Sequence, residues 1–197
     1  MSVVTIGSAH DAGSLMLHRA LQSWPLLKRS STNMVTIRLP ARVCRTIHRA
    51  CARAGVRETG GMLFAEHVAN DEFRVLEATV AGTGSIAAFF RSVAEGLRRL
   101  EKFFDRTKHD YRRFNYLGEW HSHPSFALVP SATDDDTMFE IVTDQSTGAR
   151  FAVSLIVKVE AGRLYSAAYS YFPPHQRAVS SVVVEPDTDD TERRHSN

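Results

Sequence analysis

The sequence predicts a mixed α/β domain, on three observations. Hydrophobic residues make up 43% of the chain and charged residues 23%, enough apolar material for a packed core and too little charge for global disorder. The length, 197 residues, suits one globular domain with flanking extensions and is too short for two full domains. Short apolar runs with strand character alternate with longer stretches whose apolar residues recur every three to four positions.

Taken in order, residues 1–33 read as an N-terminal extension. SLMLHRALQSWPLL (14–27) has the pattern of a short amphipathic helix up to Pro25, and KRSSTN follows as a polar linker. The domain itself is predicted over 34–174. MVTIRL (34–39) has strand character, and Pro40 stands where helices often begin. Val43, Ile47, Ala50 and Ala54, with Cys44 and Cys51, form an apolar stripe at helical spacing that Gly55 would end. Arg42, Arg45, Arg49 and Arg53 fall on the other side, as a solvated face. GMLFAE (61–66) and FRVLEATV (73–80) read as strands joined by polar HVAND. Gly82 to Ser85 reads as a turn, since it lacks the lysine and spacing of a phosphate-binding loop. Phe90, Val93, Leu97, Leu100 and Phe104 predict a second helix. Tyr116 to His123 reads as a strand, 134–145 as a third helix, and 150–159 with 163–172 as a hairpin around Ala161-Gly162. Pro173-Pro174 closes the predicted core, and the acidic stretch 175–197 reads as a disordered tail.

Composition narrows the function classes. Lys and Arg total 24 against 22 Asp and Glu, a balance that does not point to a dedicated nucleic-acid binder. Residues 38–113 hold 15 basic and 9 acidic side chains, which would suit an acidic partner or a solvated helix face equally. The two cysteines lie seven apart on one helical stripe, about 10 Å along the axis, too far to bond. Without a disulfide framework, signal peptide or long apolar run, the expected location is the cytoplasm, away from the membrane.

The chemistry concentrates in Gly118-Glu-Trp-His-Ser-His-Pro-Ser-Phe-Ala-Leu-Val-Pro-Ser-Ala-Thr-Asp134. Side chains alternate along a strand, so His121 and His123 project the same way and can grip one metal ion. Pro124 ends the strand, and Ser131-x-x-Asp134 is a helix-start pattern that returns a carboxylate. Two nitrogens and an oxygen with a fourth position open is the composition of a catalytic zinc site. Each piece has a plainer reading alone: an incidental histidine pair, or a serine and carboxylate capping a helix. Asp135 and Asp136 suit the helix dipole. Glu119 shares the histidines' face if the strand is regular, either behind the metal or toward solvent. Ser122 faces the other way, where it would orient the backbone. Cys44 and Cys51 read as core residues, and His48, His67, His109 and His175 have no partner spacing.

His121-Ser-His-Pro124, six residues and then Ser131-x-x-Asp134 resembles the signature of the JAMM (JAB/MPN-type) zinc proteases. Glu58, in Arg57-Glu-Thr-Gly-Gly-Met-Leu-Phe64, matches the family's upstream glutamate. The resemblance spans residues 34–172. It implies a curved mixed sheet flanked by helices, an architecture like that of cytidine deaminases. It also implies one catalytic zinc held by His121, His123 and Asp134, with an activated water. Glu58 would be the general base, and Ser131 would donate to the developing oxyanion. Gly118-Glu-Trp-His-Ser-His-Pro resembles the bacterial branch more than the eukaryotic deubiquitinases, which usually carry aromatics at the two positions before the first histidine. The expected activity is that of an isopeptidase or peptidase cutting after the C-terminal tail of a ubiquitin-like protein, in deconjugation or precursor processing. Bacterial relatives of this type accompany ubiquitin-like conjugation machinery, including antiviral operons, which makes the cognate conjugation enzymes expected partners. The substrate tail would add to a sheet edge. The alternatives are a hydrolase of small peptide or sulfur-carrier adducts, and a non-catalytic scaffold.

Overall fold

The computed structural model describes residues 20–24, 34–80, 93–145 and 148–186. Strand β1 (Thr36–Pro40) runs directly into helix α1 (Ala41–Ala54), with Pro40 at the junction at φ −59°. The helix stops at Gly55, whose φ of 64° turns its N–H back to the Cys51 carbonyl at 3.0 Å. Strands β2 (Gly60–Ala69) and β3 (Glu72–Ala78) follow. Their hairpin is tighter than HVAND suggested. His67 pairs with Phe73 and Ala69 with Glu72, leaving Asn70 and Asp71 to turn, with Asp71 at φ 57°. Helix α2 (Val93–Arg106), strand β4 (Phe114–Ser122), helix α3 (Ala132–Thr143) and strands β5 (Ala152–Glu160) and β6 (Arg163–Phe172) complete the predicted order. Ala161 and Gly162, both at positive φ, make the two-residue β5–β6 turn. The expected turn at Gly82–Ser85 lies outside the described residues.

The expectation that order ends at Pro173-Pro174 is corrected. Those prolines belong to a turn, and the chain returns as strand β7 (Gln176–Glu185), antiparallel to β6 from Phe172↔Gln176. The β-branched run AVSSVVVE carries it, with Ser180 buried against Ser170 through a 2.7 Å hydroxyl bond. What is left of the predicted tail, residues 187–197, lies outside the described residues. Strand β7 also pairs in parallel with β1, Thr36↔Ser181 to Pro40↔Glu185. The expected curved sheet thereby closes into a barrel of order β1-β3-β2-β4-β5-β6-β7. Strands β1 and β3 are parallel, as are β4 and β5 and the closing pair β1 and β7, and the remaining neighbours are antiparallel.

Inward residues of the strands (Leu63, Phe73, Val75, Leu117, Trp120, Val153, Leu155) join the α1 stripe of Val43, Ile47, Ala50 and Cys51 in the main core. Cys51 is buried and Cys44 half-buried, as a core stripe requires. On the outer face, Leu100, Phe103 and Phe104 of α2 pack with Phe64, while Met138, Ile141 and Val142 of α3 pack with Ala152 and Tyr171. The segment expected to be an extension contributes to all three clusters. Trp24, 3% exposed, stacks on Phe73 and Phe151 at 4.7 and 5.3 Å, and Leu21 and Ala20 are buried beside α3 and α2. Asn115 Nδ2 donates to the Ala20 carbonyl at 2.6 Å. Among the described residues no helix is long and apolar enough to cross a membrane.

Candidate metal centre

Strands β4 and β5 are parallel neighbours, so the chain leaving β4 must cross back before it enters β5. Helix α3 makes that crossover, which starts its first turn beside the end of β4. His121 and His123 meet Asp134 there. His121 Nε2 lies 3.0 Å from His123 Nε2, and each is 3.6 Å from Asp134 Oδ2. All three residues are buried.

The protons explain why this cluster suits a cation. His123 Nδ1 lies 2.8 Å from the Ala127 carbonyl, which can only accept, so Nδ1 carries the hydrogen and the neutral ring points its Nε2 lone pair into the cluster. His121 then has no satisfactory neutral tautomer. A hydrogen on Nε2 leaves Nδ1, which is buried and without a partner among the described residues, as a bare lone pair. A hydrogen on Nδ1 instead sets two Nε2 lone pairs face to face. A metal ion removes the conflict. Zinc at about 2.0–2.1 Å from tetrahedral ligands separates them by about 3.3–3.5 Å, close to the spacings found here. The charge balance agrees. Burial alone would raise the Asp134 carboxyl, but the two adjacent imidazoles, the charge of His121 and the Ser131 backbone N–H outweigh it and hold the group well below the usual carboxylate range. The adjacent Asp134 carboxylate raises His123, burial opposes that rise, and the Ala127 carbonyl and the Glu58 charge add to it.

Local sequence holds Asp134 in place. Ser131 caps α3 with a reciprocal box: its Oγ accepts from the Asp134 N–H at 3.2 Å, while its own N–H and hydroxyl donate to Asp134 Oδ2, each at 2.8 Å. Ser131 itself is exposed. Glu58 is half-buried in the extended approach to β2. Its neighbour Thr59 exchanges two bonds with Ser122: the Thr59 N–H donates to Ser122 Oγ at 3.0 Å, and its carbonyl accepts from the Ser122 N–H at 2.8 Å. Ser122 thus faces away from the cluster and ties the Glu58 segment to the strand that bears the histidines. Asp135 does more than favour the dipole. It accepts from Tyr171 Oη at 2.6 Å and from Arg177, joining α3 to β6 and β7.

Glu119 is the residue whose place the sequence left open. It is buried, 3% exposed, on the sheet face opposite Trp120, and Tyr116 Oη donates to it at 3.3 Å. Burial pushes its carboxyl up to about 8, against the Tyr116 hydrogen bond. Tyr116 was missed because residues three apart on a regular strand face opposite ways. The irregularity opposite Leu63/Phe64 resets that alternation. Gly118 permits it, with φ 145° and its α-carbon so close to Val153 that a Cβ there would collide with the Val153 backbone.

Compared with known proteins, residues 40–170 match the family profile of prokaryotic homologs of the JAB domain. This chain belongs to that family. A CD-NTase/cGAS isopeptidase from Enterobacter hormaechei subsp. hoffmannii (strain UCI 50) is 30% identical to the JAB chain over 126 residues, 62% of this chain and 67% of its own. The solution structure of protein DSY2949 from Desulfitobacterium hafniense aligns over 78% of the JAB chain and 96% of its own, at 15% identity and TM-score 0.49. AF2198, a JAB1/MPN domain protein from Archaeoglobus fulgidus, aligns over 75% and 98%, at 16% identity and TM-score 0.41.

Proposed function

We propose that this JAB protein is a zinc-dependent isopeptidase that cuts after the C-terminal tail of a ubiquitin-like protein, in a bacterial conjugation pathway with an antiviral role. The observation that carries the reading is the buried His121–His123–Asp134 cluster, in a JAB domain 30% identical to a CD-NTase/cGAS isopeptidase. That relative's name also supplies the proposed target, a CD-NTase held in an isopeptide bond, and the ubiquitin-like modifier comes from the JAMM resemblance.

Zinc held by His121, His123 and Asp134 would supply a Lewis acid and lower the pKa of a water to about 7. Glu58 takes the proton from the attacking water and returns it to the departing amine, because an amine anion is a very poor leaving group. The Ser131 hydroxyl donates to the oxygen that gains charge on the scissile carbonyl. To do so it turns away from Asp134 Oδ2, and the Ser131 N–H keeps that carboxylate in register meanwhile. Rotating one hydroxyl therefore frees the Ser131 proton for that role while Oγ still caps the helix and Asp134 stays held.

The test uses a ubiquitin-like protein linked through its C-terminal glycine to a lysine of a CD-NTase, with products weighed by mass spectrometry. A chelator-sensitive cut after the tail is expected from the wild type. Glu58→Ala should lose turnover by at least about a hundredfold while keeping its zinc. Zinc loss in that variant would remove Glu58 from the base role, and an intact conjugate after prolonged incubation with zinc-loaded wild type would refute the isopeptidase reading.

A further inference from the structure

A histidine that binds a metal through one nitrogen almost always donates the N–H of the other, which fixes the ring and raises its basicity. His123 meets that requirement through Ala127, while the Nδ1 of His121 is buried with no partner among the described residues. A buried polar group left unmatched is destabilising, so what surrounds this one matters.

The sheet register answers that. Gly60 on β2 and Ile156 on β5 flank His121, and neither side chain can accept a hydrogen bond. One step back along β4, on the same face, stands Glu119, about 6.5 Å away by strand geometry. Directly across from Glu119 on β5 is Ser154, fully buried, whose Oγ likewise has no partner among the described residues. The remaining neighbour in that row, Met62, is apolar. The register thus sets three buried polar residues at neighbouring positions on one sheet face. Among the described residues, one lacks an acceptor, one lacks any partner, and the carboxyl group accepts a single bond, at 3.3 Å, of the several its lone pairs allow. Their number and chemistry match the two to four partners that a buried water takes.

We propose that Glu119 is a positioning residue for the metal ligand His121. It accepts the Nδ1–H through one buried water that Ser154 also binds, and Tyr116 fixes the carboxylate from the far side. The assignment rests on the metal-site part of the reading above and not on the substrate. The two metal-binding histidines are then held by different means, His123 by a backbone carbonyl and His121 by a carboxylate relay.

The experiment is zinc competition against a chromogenic chelator on the full chain, paired with long-range proton–nitrogen spectra of the histidine rings in the zinc-loaded protein. Glu119→Ala should weaken zinc about 10–100-fold, and Ser154→Ala by a smaller factor. Glu119→Gln, which keeps an acceptor oxygen, should recover part of the loss. In Glu119→Ala the protected Nδ1–H signal of His121 should vanish while that of His123 stays, a selectivity that general loosening would not produce. Unchanged zinc affinity, or simultaneous loss of both ring signals, would overturn the proposal. If Glu119→Ala does not fold, the Gln and Ser154 variants decide on the same readouts. Wild type that binds zinc but leaves the conjugate intact would sink the isopeptidase reading and leave this one standing.

Discussion

Two regions of this molecule carry concentrated charge, and they treat it in opposite ways. At the barrel seam, Arg38 meets Glu72 at 2.7 Å and Glu185 at 3.8 Å, and Arg74 meets Glu185 at 3.1 Å. These side chains are partly solvated, paired with opposite charge and drawn from both ends of the chain. In the stretch 121–134, two imidazoles and a carboxylate are buried within reach of one another, and the arrangement cannot satisfy its own protons. Satisfied, wet charge stitches strands together at little energetic gain. Dry charge with an unmet demand is the kind of site that a bound cation would settle.

That contrast can be attacked from both sides. His123→Ala should remove most of the bound zinc and with it all turnover, since two remaining ligands hold the ion poorly. Its metal-free melting temperature should stay near wild type or rise, and a drop of many degrees would show that the cluster is structural. Trp24→Ala acts on the other side. Deleting a stacked, buried indole should cost about 3–5 kcal/mol in denaturant unfolding, while zinc affinity of the folded fraction holds. Loss of zinc at full foldedness would couple the two regions. Ser131→Ala discriminates cap from catalyst at one position: about 1 kcal/mol of stability for the cap, and about a hundredfold in turnover for the oxyanion role. A melt that shifts while turnover does not would leave only the cap. The smallest effect belongs to Glu185→Ala at the seam, about 0.5–1 kcal/mol and fading with added salt; a loss insensitive to salt would mean that the pairs are not the source.

What could be read in the sequence tracks how local each contact is. His121, His123, Ser131 and Asp134 follow from strand alternation, a loop and a cap, all within one short stretch, and the crossover between parallel strands forces their meeting. The hairpin at Ala161-Gly162 and the α1 stripe are equally local. Strand β7 was hidden because Pro173-Pro174 and an acidic stretch imitate a terminus, and its reason to be ordered is a partner, β1, at the other end of the chain. Trp24 was hidden likewise, since only the folded core supplies Phe73 and Phe151 to stack on it. Glu119 sat between: its face was legible, but the bulge that brings Tyr116 beside it and the strand that brings Ser154 across from it were not.

Closure of the sheet has a consequence for how the protein behaves in a crowd. An open sheet ends in rows of backbone donors and acceptors that can recruit a strand from any chain, including another copy. Here β7 occupies the flank of β1 and β6 at once, so the described strands form a ring without a first or last member. The described ring leaves no terminal strand for an extended peptide to join. The same ring makes β7 a guard against self-association. Clipping the chain after Phe172 would uncover two borders together and turn a self-contained barrel into a template for stacking.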